Sequence, residues 1–384
     1  MAWRKHWKIR IRETGEVSLG LLMANMGDAI NIAVLAVVVA TITSAPEALA
    51  VLPGLAALRG GIYTSQASRV STRIHLGLEE AKVGKVIKSE LLPTLSLGLV
   101  AAVYIGILSG VLAGITVYRT LLVSIISTLI SWIILSTGTG LLSIIFYRSG
   151  VDPDKVSAPV ITVLGDMITI PSILAALYIL NTVELHPIGY TATLSLALTI
   201  IAIAVTLSAY SRTVTLQSLP SVFLVGVIES ITGAILAVWA VSKLQTGNII
   251  TLYPSFLEDT GAIVAVAAAR TSTLSYLGLT TPKAKLGHEE IIQLLESYTA
   301  VLPSLAILSV LGHLLAQTPL NLALTVIGLS FYLVITLGIP FAQILVKLTH
   351  KLGLDPDNTV LPMITSVIDL IGTIILALVA GLIA

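Results

Sequence analysis

Eleven mostly apolar stretches, each near the ~20 residues that a bilayer-spanning helix needs, follow one another along this chain of 384 residues. They lie at about 18–43, 46–77, 90–117, 120–146, 156–181, 190–209, 218–242, 250–278, 299–315, 321–346 and 359–382. Between them there is little to build a soluble surface: 11% of residues are charged, against about 25% in soluble domains. A soluble enzyme is excluded, and with no cysteine so is a disulfide-stapled secreted domain. A net charge of +1 exerts no pull on nucleic acid. Residues 1–16 are basic and polar, without the short apolar core of a signal peptide. The chain reads as an all-α polytopic membrane protein, with the lipid bilayer as its first partner.

Two of the stretches are punctuated, one by Pro53 with Gly60–Gly61 and the other by Pro254 with Gly261. Proline removes a backbone donor and glycine loosens the ladder, so each is expected to be a broken or bent helix. Orientation follows from the positive-inside rule. With a cytoplasmic N-terminus, the inner segments hold 16 of the 21 Lys and Arg, and the outer ones only Arg119 and Lys243. Eleven spans then put the C-terminus outside, in a multi-pass protein of the cell membrane.

The chain is also duplicated. Residues 53–78 align without gaps on 254–279, matching at 10 of 26 positions, among them Pro53/Pro254, Gly60/Gly261 and Arg69/Arg270. Residues 152–166 align on 355–369 at 7 of 15 positions, including Asp152/Asp355, Thr162/Thr365 and Asp166/Asp369. The expected organisation is a basic tail (1–17), a five-helix repeat (18–182), a linker with one span (183–215) and a second five-helix repeat (216–384). The extra span makes the repeats parallel, like the subunits of a dimer, a known transporter arrangement. Whether two such chains associate further is left open.

Carboxylates inside a bilayer are costly, by roughly 2.5–3.5 kcal/mol for Asp at a helix centre, and mark candidate sites. Asp166 lies in a stripe with Thr162 and Thr169, and Asp369 in one with Thr365 and Thr373. Each spacing places one polar face on an apolar helix. Two such stripes would make a cation pathway between the halves, the alternative being interhelical hydrogen-bond glue. Asp28, flanked by Asn25 and Asn31, and Glu229 form a second pair, and Glu258 and Asp259 a third group in one half only. Asp152 and Asp355 stand where the cytoplasmic mouth would be, though capping alone favours Asp at a helix start. Arg69 and Arg270 are expected to be structural. Oxygen ligands without Cys or clustered His favour a hard cation such as Mg²⁺, Ca²⁺, Mn²⁺ or Na⁺. Mg²⁺, typically held by one or two carboxylates with several waters kept, suits facing aspartates.

The run Pro-x-Leu-x-x-Leu-Arg-Gly-Gly at 53–61, continuing to Ala-Ser-Arg-Val-Ser-Thr at 67–72, resembles the MgtE-type magnesium transporter domain, especially its solute carrier family 41 branch. The Asp-Pro-Asp starts at 152 and 355, each with an Asp fourteen residues on, resemble the same family's fifth helix. The resemblance implies Mg²⁺ movement between two five-helix units, with Asp166 and Asp369 binding the ion and Asp152 and Asp355 at the start of that helix. Bacterial members usually carry Asn before the helix proline, where this chain has Ala158 and Leu361. The family's Gly-Asn is Gly60–Gly61 here and Gly261–Ala262 in the second half. The large Mg²⁺-sensing domains of bacterial members have no counterpart in these residues, so any regulation is expected within the membrane part. A channel, a carrier coupled to Na⁺ or H⁺, and a transporter of Mn²⁺ or Co²⁺ all fit the same carboxylates. A non-transporting membrane sensor is the remote alternative.

Overall fold

A computed structural model describes residues 27–75, 83–149, 153–182, 209–278, 287–353 and 360–383 continuously, with isolated positions in 18–25, 191–202 and at 356. Among the described residues all regular structure is helical. The elements are α1 (Gly27–Thr43), α2 (Pro46–His75), α3 (Val83–Ala113), α4 (Val117–Arg148), α5 (Pro153–Thr182), α6 (Ala209–Ile235), α7 (Tyr253–Tyr276), α8 (His288–Ala300), α9 (Leu302–Ala316), α10 (Leu320–Lys351) and α11 (Leu361–Ile383). Helix α6 continues through a π-helical turn, Leu236–Ala240, to Leu244.

By length and apolarity eight of the described helices can cross a membrane, α8 and α9 together supplying one of them. Helix α1 is apolar but shorter, and α2, though 30 residues long, carries Glu47, Arg59, Arg69 and Arg73. The linking span expected at 190–209 lies almost wholly outside the described residues.

The expected breaks within the second helix of each half are absent. Helix α2 runs unbroken through Pro53, Gly60 and Gly61. One proline forfeits a single ladder bond, and here it is packed in place: Pro53 is buried, and a Cβ on Gly54 would stand 3.1 Å from Ile105 of α3. In the second half Pro254 occupies the first turn of α7, where its missing N–H would have no intrahelical partner in any case. The chain turns earlier, at Gly247 (φ 58°) and Asn248 (φ 59°), with the Asn248 side chain donating to the Ala316 carbonyl at 2.9 Å.

The helices gather into two compact units, one of Ala40–Val238 and the other of Met1–Val39 with Trp239–Ala384. Each thus contains the second to fifth helices of one repeat and the first helix of the other. In the first unit α6, which opens the second repeat, packs on α2 and α3. The approach is very close: a Cβ on Gly233 would lie 2.0 Å from the Ala50 carbonyl oxygen. Helices α3 and α4 form a hairpin of the same kind, since a Cβ on Gly106 would fall 2.6 Å from the Leu121 Cα. Small residues let backbones meet where lipid offers no hydrophobic drive. The Thr120 hydroxyl uses that proximity to donate to the Gly106 carbonyl at 2.6 Å.

The helices overrun their apolar stretches because ion pairs cover the polar ends. Arg69 and Arg73 of α2 both reach the buried Glu90 of α3, at 2.8 and 2.9 Å. In the second unit Arg270 of α7 reaches Glu296 of α8 at 3.3 Å. The duplicated arginine therefore meets a carboxylate of the next helix in both units. Lys347 of α10 and Glu290 of α8, both buried, pair at 2.6 Å in the second unit. Of these residues Arg73, Glu290, Glu296 and Lys347 fall in segments expected to be cytoplasmic loops, and folding makes them parts of helices instead.

Candidate cation site

The two duplicated stripes occupy the same local setting, each within its own unit. In the first unit α5 lies against α2, and a Cβ on Gly60 would touch the Thr162 methyl at 4.0 Å. In the second unit α11 lies against α7, and a Cβ on Gly261 would stand 3.7 Å from Thr365 and 3.9 Å from Oδ1 of Asp369. A glycine of the second helix thus leaves room for the polar face of the last. Asp166 and Asp369 are both half-buried, as are Thr162 and Thr365. Thr169 and Thr373 are buried and donate to the carbonyls one turn back, Gly165 at 2.8 Å and Asp369 at 2.7 Å. The Thr373 hydroxyl also meets the Tyr253 hydroxyl at 2.9 Å. Both threonines thus donate within their own helix, while Thr162, Asp166, Thr365 and Asp369 are the half-buried members of the stripes.

Gly261→Ala should be tolerated, since 3.9 Å is ordinary van der Waals separation. Gly261→Val should place a branch beside the Asp369 carboxylate and lower cation flux several-fold. Comparing flux per folded protein for the two variants checks this, and equal fluxes would remove Gly261 from the site.

The settings differ in charge. Arg59 of α2 is buried, donates to Ser172 of α5 at 2.9 Å and to Ser127 of α4, and lies in electrostatic range of Asp166. Its place in the second repeat is taken by Thr260, whose hydroxyl donates to Phe256 and Leu257 carbonyls at 2.9 and 3.0 Å. The second unit instead gathers acid. Asp28 of α1 and Asp259 of α7 are 1% and 0% exposed and interact electrostatically, and Glu258 and the buried Ser255 of α7 both adjoin Asp28. Asn31 donates to Oδ1 of Asp28 at 3.2 Å. Asn25 donates to the Ser304 hydroxyl of α9 at 2.9 Å, and Ser304 in turn donates to Oδ2 of Asp259.

Of the expected candidates the structure thus brings Asn25, Asn31, Asp28, Glu258 and Asp259 together, whereas Glu229 is buried on α6 in the other unit. Asp152 and Asp355 lie outside the described residues. Arg69 and Arg270 are engaged in the ion pairs already given. Among the described residues no three Asp, Glu, His or Cys side chains converge to hold a metal. A cation here must take the rest of its shell from neutral oxygens or water. Sequence reasoning missed Arg59, Ser255 and Ser304. One signal was available for Ser304: Leu-Pro-Thr-Leu at 92–95 recurs as Leu-Pro-Ser-Leu at 302–305.

Long apolar helices, an internal duplication and a repeated polar stripe beside a repeated glycine define a polytopic helical membrane protein with a doubled polar element. The MgtE family model, described as a divalent cation transporter, matches residues 52–177 and again 253–379. The chain belongs to the MgtE family of divalent cation transporters, and it is a transporter rather than an enzyme. It is 26% identical over 371 residues to solute carrier family 41 member 3 of Rattus norvegicus, spanning 86% of this chain and 78% of that one. It is 28% identical over 369 residues to solute carrier family 41 member 2 of Homo sapiens, covering 86% of this chain and 63% of that one. The member 2 protein of Gallus gallus is 27% identical over 366 residues, with the same two shares. No solved structure matches the chain.

Proposed function

We propose that this protein carries Mg²⁺ across the membrane, with Asp166 and Asp369 as the carboxylates that hold the passing ion. The observation that carries this reading is the repeated setting of Gly60 with Thr162 and of Gly261 with Thr365 and Asp369. A duplication that keeps the acid, its position on the last helix and the glycine facing it supports one role for both. One half-buried carboxylate per stripe suits an ion that keeps much of its water, as Mg²⁺ does. The stripes could equally carry Mn²⁺ or Co²⁺, whose oxygen-ligand preferences overlap.

On this reading the chain has eleven spans, an internal N-terminus and an external C-terminus. It works as a pseudo-dimer of its two repeats, 18–182 and 216–384, joined by the linker 183–215. Asp152 and Asp355 would collect cations at the cytoplasmic mouth, and Glu229 would line the path in the first unit.

The test is flux into proteoliposomes that hold a Mg²⁺-sensitive dye, with an imposed Na⁺ gradient and without one. Flux down the Mg²⁺ gradient alone is expected for a uniporter or channel, and flux that needs Na⁺ for a coupled exchanger. Absence of Mg²⁺ flux under both conditions, with retained Mn²⁺ or Co²⁺ flux, would overturn the choice of ion.

A further inference from the structure

We propose that Asp28, Asp259, Asn25 and Ser255 form a second cation site, enclosed within the unit of Met1–Val39 and Trp239–Ala384, which takes a small hard cation stripped of most of its water. This site stands independently of the roles given above to Asp166 and Asp369.

Unmet hydrogen-bonding capacity points to it. Three of the donors in this cluster are committed: the Asn31 amide to Oδ1 of Asp28, the Asn25 amide to Ser304, and Ser304 to Oδ2 of Asp259. Oδ1 of Asn25, Oδ2 of Asp28, Oδ1 of Asp259 and Oγ of Ser255 are left buried without hydrogen-bond partners. The Asn25 carbonyl is oriented by the bond its own amide makes. Leaving one buried polar atom unmet costs about 1–3 kcal/mol, and here four unmet atoms fall in one cluster with two carboxylates. All four residues are at most 1% exposed. Among the described residues no lysine or arginine pairs with Asp28 or Asp259.

A cation meets every one of these demands at once. It neutralises like charges that otherwise oppose each other in a low dielectric, and it accepts the lone pairs of the four orphaned oxygens. Carboxylate, amide and hydroxyl oxygens select a hard cation. Enclosure selects further. Mg²⁺ gives up water reluctantly, so an ion that dehydrates more easily, with Na⁺ as the probe, fits this site better. The site exists in one half only: by the repeat alignment Leu58 stands in place of Asp259, and Gly54 in place of Ser255. Because Asp28 lies on α1 and Asp259 on α7, a bound ion would pin the first helix of the chain onto the second half.

The test uses the purified full chain carrying Asp166→Asn and Asp369→Asn, so that the proposed transport carboxylates cannot answer for this site. Its thermal unfolding midpoint is followed as NaCl replaces choline chloride at constant ionic strength, and separately with MgCl₂. A saturable rise of several degrees with Na⁺ is expected, because a ligand bound only by the folded state stabilises it. Adding Asp28→Asn and Asp259→Asn should abolish the rise. Ser255→Ala, which leaves both carboxylates in place, should shift saturation to higher Na⁺. The proposal fails if the midpoint is indifferent to Na⁺, or if the rise survives loss of both carboxylates. It also fails if stabilisation follows acidification alone, which would assign the charge to a proton shared by the pair.

Discussion

Replacing Asp369 by alanine should reduce Mg²⁺ flux by roughly tenfold or more, and removing Asp166 as well should bring it to the background of empty vesicles. Removing one partner of a charged interaction at a desolvated site typically costs about 2–5 kcal/mol, and each 1.4 kcal/mol is about tenfold. Both side chains are half-buried on long helices held by extensive packing, so both variants should fold. Size-exclusion profiles and thermal midpoints would verify this before flux is compared. The single Asp166→Ala variant is informative in its own right. Arg59 lies in electrostatic range of Asp166, so deleting the acid also leaves a buried guanidinium less compensated. Its midpoint should therefore fall further than that of Asp369→Ala. Normal flux in the double variant would remove both residues from the ion path.

The second expectation concerns folding. Gly233→Ala should prevent the first unit from assembling, because the new methyl would stand 2.0 Å from the Ala50 carbonyl oxygen and 2.8 Å from its carbon. Both obstacles are backbone, so no side-chain rotation relieves them. Overpacking a core by a methylene already costs about 1–3 kcal/mol where side chains can yield. The measurement is the yield of monodisperse protein in mild detergent. Gly61→Ala on α2, where nothing lies within 4 Å of the added Cβ, serves as the neutral control. Wild-type yield from Gly233→Ala would mean that α6 does not pack on α2 as described.

Much of the candidate site could be read before folding was known. Thr162 with Asp166 and Thr365 with Asp369 share helical faces by spacing alone. The duplication singled out Gly60 and Gly261, the two glycines that face these stripes. Periodicity says which side of a helix is polar, but not what stands opposite it. Asp28 and Asp259 are 231 positions apart and belong to different repeats, and only packing brings them into one cluster. From the sequence Arg59 is only the arginine of the Leu-Arg-Gly-Gly run. Its burial between Ser127 and Ser172 depends on three helices meeting.

By itself the sequence determined the helical class, the apolar stretches and the twofold repeat, because bilayer thickness and backbone hydrogen bonding leave few other solutions. It could not reveal that helix α2 continues unbroken past Pro53, since the forfeited ladder bond is outweighed by packing against residues far along the chain. Nor could it reveal the exchange of first helices, by which α6 completes the first unit and the chain's opening segment completes the second. Each repeat supplies one first helix, and a local apolar pattern does not say which unit takes it. The choice lies in close approaches such as Gly233 on Ala50 and hydrogen bonds such as Asn25 to Ser304, which exist only once the tertiary structure has formed.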